Sequence, residues 1–178
     1  MQSALPKLQI CTDSPAIKRA LCVAVRYEHL NPDGLELTST HKDAHTVSKL
    51  LIDRYGYEEK DITLLLDDDD PNHDQPTQRN ITRAMEDLVH GAKPGDRFVF
   101  HFSGHGSQVK NLDGSEEDGK DEVIWPLDIE IDSDRLDEDD LPMVNNYILD
   151  DIYRIAILTI GRLPALRQVP LITEFGVI

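Results

Sequence analysis

The chain is poor in cysteine, poor in basic residues and free of long apolar runs, and each shortage removes a class of protein. Two cysteines among 178 residues, Cys11 and Cys22, cannot build a disulfide framework, which fits a reducing compartment. Lys plus Arg number 18 against 34 Asp plus Glu, a formal net charge of −16. That balance argues against nucleic-acid partners and anionic membranes, whose binding rests on clustered positive charge. No apolar stretch approaches bilayer length, and no cationic segment followed by an apolar stretch opens the chain. The expectation is a soluble, cytoplasmic protein with no nucleic-acid or membrane partner.

The length suits one domain with a real hydrophobic core. Residues 1–17 show no sustained period and read as a short leader or arm. Lys18 to Tyr27 (KRALCVAVRY) is rich in small and β-branched apolar residues and leads to the turn-forming NPDG at 31–34. A helix is predicted over 41–55, with Ala44, Val47, Leu50, Leu51 and Tyr55 at helical spacing and Gly56 as its stop. Asp61 to Leu66 (DITLLL) reads as a second buried strand, halted by Asp67 to Asp70 and Pro71. Thr77 caps a second helix whose apolar face is Ile81, Ala84, Met85, Leu88 and Val89. Arg97 to Phe102 (RFVFHF) is the third strand. Strand, helix, strand, helix, strand predicts an α/β fold with a parallel sheet covered by helices.

Downstream of Lys110 the pattern changes. Asp113 to Asp151 carries 16 acidic residues against Lys120 and Arg135 alone, and is expected to be mostly solvated loop, with a hard cation or a basic peptide as its natural ligands. The segment between Asp128 and Ile148 is read as a surface loop. It lacks the EF-hand pattern: counted from Asp113, the sixth position is Asp118 where a glycine is required. A nucleotide-binding fold is disfavoured because the first strand leads to NPDG instead of a glycine-rich phosphate cradle. One strand is expected somewhere in 165–178.

In open parallel sheets reactive groups gather beyond the carboxyl ends of strands. His105 stands there, between Gly104 and Gly106. The string HFSGHGSQ at 101–108 resembles the catalytic-histidine motif of metacaspases, caspase-like cysteine peptidases of the type I kind. Three other strings agree in order: KRALCVAVRY with the helix bearing Lys42, Asp43 and Ala44, then PTQRNI at 76–81, then ILDD at 148–151. Together they cover roughly residues 18–151.

The resemblance implies a caspase-like, parallel-rich sheet and a cysteine endopeptidase acting on peptides or proteins after Arg or Lys. His105 would be the catalytic histidine, which draws the proton from a thiol and returns it to the leaving amine. Gly106 would offer its amide to the oxyanion. Asp43 and Ser103 would line the pocket for the basic side chain, with Lys42 departing from the family's asparagine and its ammonium beside the pocket carboxylate. Calcium, which takes six to eight oxygens, would be held by Asp121, Asp150 and Asp151.

The family's nucleophile lies in an Asp-Ser-Cys-His-Ser-Gly-like string, and in related enzymes the histidine lies about 50 residues upstream of the cysteine. Residues 152–178 hold no cysteine and diverge directly after Asp150 and Asp151. Cys22 falls within the first strand and Cys11 in the unplaced arm. The domain is therefore expected to span 18–151, to be followed by a divergent tail at 152–178, and to be incomplete on its C-terminal side. On that expectation the chain is inactive alone, and its sheet edge needs the tail, a partner or a full-length relative to cover it. The alternative is a non-catalytic module that binds calcium or basic peptides and modulates full-length relatives.

Overall fold

The computed structural model describes residues 16–136, 142–149 and 172–173. Strand β1 (Lys18–Ala24) is central in a four-stranded sheet of order β2-β1-β3-β9, with β2 at Ile62–Leu66, β3 at Arg97–Ser103 and β9 at Ile172–Thr173. All three pairings are parallel. Parallel neighbours cannot be joined by tight turns and need crossovers. Helix α1 (Thr40–Tyr55) supplies the first and helix α2 (Gln78–Val89) the second.

Residues alternate across a strand, and β1 divides its side chains cleanly. Cys22 and Ala24 pack with Ala44 of α1 and Leu66 of β2, while Ala20 joins Leu51, Tyr57 and Val99 on the same side. Leu21, Val23 and Val25 face the other way, against Ile81, Met85 and Leu88 of α2 and Phe98, Phe100 and Phe102 of β3. A strand buried on both faces reads as a continuous apolar run, and this one does. The small residues belong to the α1 side and the bulky ones to the α2 side.

Capping follows the sequence. The Thr77 side chain accepts a hydrogen bond from the Asn80 amide at 3.3 Å, and Gly56 closes α1 in the left-handed region at φ 66°. Arg19 donates to the carbonyls of Asp87 and His90 at 3.2 and 2.8 Å, satisfying acceptors that the end of α2 leaves open.

The acidic segment corrects one expectation. Strands β4 (Gly106–Lys110), β5 (Lys120–Ile124) and β8 (Ile148–Leu149) form an antiparallel sheet, and β6 (Glu130–Leu136) pairs with β7 (Pro142–Asn145) in a separate hairpin. The 128–148 segment is thus a hairpin, with a register irregularity between Asp132 and Leu136. Ile129 and Ile131 alternate with acidic residues, a period-2 pattern that the charge density hides. Asp128 ties this region to α2 by accepting from the Gln78 amide at 2.7 Å.

At the sheet's far edge, Ile172 and Thr173 pair with His101 and Phe102. The expected strand in 165–178 lies there, on the edge that was expected to need a cover. Residues 1–15, Asp150, Asp151 and most of the tail lie outside the described residues. No helix among the described residues is long and apolar enough to cross a membrane.

Candidate active site

His105 follows β3 directly and precedes β4, at the carboxyl end of the parallel sheet as its sequence position predicts. Its side chain is not held out to solvent: the residue is 3% exposed. The imidazole lies between two aromatic rings, 4.9 Å from Tyr27 and 5.5 Å from Trp125, centroid to centroid. Nε2 stands 2.7 Å from the Leu35 carbonyl oxygen. A carbonyl only accepts, so Nε2 carries the proton, and Nδ1 is the nitrogen that bears the lone pair whenever the ring is neutral.

The backbone of His105 is fixed as firmly as its ring. Its N–H donates to the Tyr27 hydroxyl at 3.1 Å, and that hydroxyl donates to the Trp125 carbonyl at 2.5 Å. The Trp125 N–H in turn donates to the His105 carbonyl at 3.0 Å. The phenol thus takes the place of one ladder hydrogen bond between His105 and Trp125. Burial pushes the Tyr27 hydroxyl well above its ordinary range, so it remains a proton donor.

This geometry sets Gly106. It pairs with Ile124, one step beyond the hydrogen-bonded His105 and Trp125 positions. Antiparallel ladders alternate, so Gly106 falls at a non-hydrogen-bonded position and its N–H is directed away from β5. Gly104 is required for a different reason. A Cβ there would lie 2.7 Å from Phe102 Cζ and 2.8 Å from the Tyr27 hydroxyl, both buried.

Ser103 and Asp43 come together across 60 residues of sequence: Ser103 Oγ donates to Asp43 Oδ2 at 3.3 Å. Asp43 lies in the first turn of α1, where the helix dipole favours a carboxylate. Lys42 is exposed, and no ion pair joins it to Asp43 among the described residues.

Asp121 is placed elsewhere. It lies on β5 opposite Val109, three residues from Ile124, and accepts from the Asn111 side-chain amide at 2.6 Å. Among the described residues no group of three or more His, Cys, Asp or Glu is arranged to hold a metal. Leu149, which precedes Asp150, pairs with Val123, two residues from Asp121.

Cys22 is fully buried under α1, and burial pushes its thiol up to about 12. A thiol in that state has essentially no thiolate at neutral pH.

Four participants escaped the sequence reading: Tyr27, the Leu35 carbonyl, Asp67 and Trp125. Asp67 had been taken only as the stop of β2. Its carboxylate accepts from the Arg26 amide at 2.8 and 2.9 Å and from the Tyr27 amide at 3.0 Å, and His41 Nε2 lies 2.6 Å from its Oδ1. A buried tyrosine at the end of a first strand, followed by a turn, is the one sequence signal that pointed here.

Comparison with known proteins gives the family. Metacaspase-1 of Cryptococcus neoformans var. neoformans serotype D (strain JEC21 / ATCC MYA-565) is 45% identical over 140 residues, 78% of this chain and 29% of that protein. Metacaspase-1 of Pyricularia oryzae is 42% identical over 122 residues, 68% of this chain and 30% of that protein. The chain thus spans less than a third of the length of these relatives. A solved structure of a Geobacter sulfurreducens protein superposes with a TM-score of 0.54 at 19% identity, covering 83% of this chain and 46% of the other, which speaks for the fold alone. The sequence model of the family described as "Metacaspase, peptidase C14 domain" matches residues 18–159. With the histidine motif at the end of β3 inside that match, the chain belongs to the metacaspase family of C14 peptidases.

Proposed function

We propose that this chain carries the histidine side and the basic-residue pocket of a calcium-dependent cysteine endopeptidase that cleaves after Arg or Lys. The observation that carries the reading is His105, buried and tautomerically committed, two residues from the Ser103–Asp43 pair. Nδ1 is the nitrogen free to take a thiol proton and to pass it to the leaving amine. The Gly106 N–H, turned away from β5, serves the oxyanion. Asp43 is the pocket carboxylate that receives a guanidinium or ammonium, with Ser103 orienting it.

Neither cysteine of the chain takes the nucleophile's part in this reading. Cys22 is neutral and enclosed, and Cys11 stands seven residues ahead of β1 in sequence. In this reading the thiol is supplied by a longer relative bound to the chain, and these residues alone do not cleave. Calcium belongs with Asp121, Asp150 and Asp151: the donors are hard oxygens, as that ion requires, and the β5–β8 pairing draws the segment before Asp150 to the neighbourhood of Asp121. The two positive charges of the ion would offset part of the negative charge of the acidic segment.

Three measurements test this. A peptide with Arg before the scissile bond should bind the chain with at least about tenfold loss in Asp43→Asn, the scale of one charge-assisted contact. Equal binding of a peptide with a neutral residue there would sink the pocket assignment. Calorimetry should register calcium binding that Asp121→Ala weakens, and cleavage of the same peptide by the isolated chain would overturn the assignment of the nucleophile to another segment. The reading of the chain as a non-catalytic module predicts calcium or peptide binding that stays unconverted when a cysteine-bearing relative is added.

A further inference from the structure

We infer that Asp67 is a positioning residue for His105, holding the imidazole in its Nε2-protonated tautomer from the far side of the loop at 26–37. The inference rests on the reading of His105 as the catalytic base.

Two routes leave the Asp67 carboxylate and meet at His105. Along the first, Asp67 accepts the Tyr27 amide, and Tyr27 sits in the left-handed region at φ 59° and ψ 42°. A bulky residue rarely holds that conformation without help. The conformation aims the phenol at the His105 N–H and the Trp125 carbonyl. Along the second, Asp67 accepts the Arg26 amide through both oxygens. The Arg26 carbonyl accepts from the Leu37 amide at 2.7 Å, and the Arg26 Nε donates to Glu36 at 2.7 Å. Residues 36 and 37 are thereby fixed, and Leu35, beside them, presents its carbonyl to His105 Nε2.

One carboxylate on β2's carboxyl end therefore governs both the backbone and the tautomer of a histidine beyond the end of β3. His41 completes its surroundings, with Nε2 2.6 Å from Asp67 Oδ1. Groups that orient a catalytic or ligating histidine act through the proton on the nitrogen that does no chemistry, and their loss lets the second tautomer populate. Asp68 is the built-in control. It neighbours Asp67 in sequence but its carboxylate faces His73 and the Asp70 amide instead, with no bond to the 26–37 loop among the described residues.

The test reads the imidazole itself and needs no peptide cleavage, so failure of the peptidase reading and failure of this one are separable. The full chain is labelled with nitrogen-15 histidine, and the His105 signals are assigned by their disappearance in His105→Gln. Spectra are taken about two units above the ordinary imidazole pKa of about 6.5, where the rings are neutral. Wild type should show one protonated and one bare nitrogen, with the proton on Nε2. In Asp67→Ala the two signals should move towards each other as the tautomers mix. Asp67→Asn, which keeps the volume and one acceptor, should show the same movement to a smaller degree, while Asp68→Ala should leave both signals in place. Unchanged His105 signals in folded Asp67→Ala, or in Asp67→Asn where the alanine variant does not fold, overturn the inference. So does a wild-type ring protonated on Nδ1, or an equal response in Asp68→Ala.

Discussion

His105 joins two regions built on opposite terms. Upstream, residues 18–103 form a parallel sheet in which every residue of β1 from Ala20 to Ala24 is buried and both faces are covered by helices. Downstream, the described residues of 106–136 and 142–149 form antiparallel ladders in which charged residues line the surface and even Leu112 is 89% exposed. The upstream half fixes atoms by packing, where a single methylene is felt. The downstream half anchors itself in the upstream core through Ile124 and Ile148, and elsewhere relies on hydrogen bonds between near neighbours, such as those of Asn111 with Asp113, Ser115 and Asp121. The role proposed for His105 needs the first kind of support, and the cation or peptide contact proposed for the acidic segment tolerates the second.

That difference makes ordered predictions. Phe102→Ala, which empties a buried position between the sheet and α2, should destabilise the chain by about 3–5 kcal/mol in denaturant unfolding. A loss below 1 kcal/mol would mean that the upstream half is not close-packed. Gly104→Ala should lose about 1–3 kcal/mol, because its new methyl meets Phe102 and Tyr27, both buried, and one of them must shift. The same variant should shift the His105 imidazole signals, since the Tyr27 hydroxyl it displaces holds the His105 amide.

Alkaline pH probes the same burial. The folded chain keeps the Cys22 proton up to about 12, against an ordinary value of 9.0 that the unfolded chain follows. Above the unfolded value the unfolded state holds fewer protons, so stability is full below about pH 9 and falls as pH rises, by about 1.4 kcal/mol per pH unit for this thiol. Cys22→Ser should flatten the slope in that window, read from unfolding midpoints between pH 8 and 11. The smallest effect belongs downstream: Glu117→Gln, on an exposed position, should change stability by less than about 0.5 kcal/mol. A larger loss would erase the contrast between the halves.

The same contrast governs what could be read from the residues. Strands β1, β2 and β3 and both helices are legible because burial forces their apolar periodicity, and Thr77 and Gly56 mark helix ends through local chemistry. The hairpin over 130–145 was hidden because dense charge conceals its alternation. Asp43 and Ser103 were paired by resemblance alone until α1 and β3 brought them within 3.3 Å.

By itself the sequence determined the order of the core elements, the place of His105 beyond β3 and the family, because these rest on local patterns and on a string of adjacent residues. Only the tertiary structure decided which nitrogen of His105 is free, where the Gly106 amide points and which carboxylate holds the Arg26 and Tyr27 amides. Those answers depend on Tyr27, Leu35, Asp67 and Trp125, which lie tens of residues from His105 or across a hairpin from it. No local pattern encodes a contact made through space by a backbone carbonyl or a phenol placed by its turn.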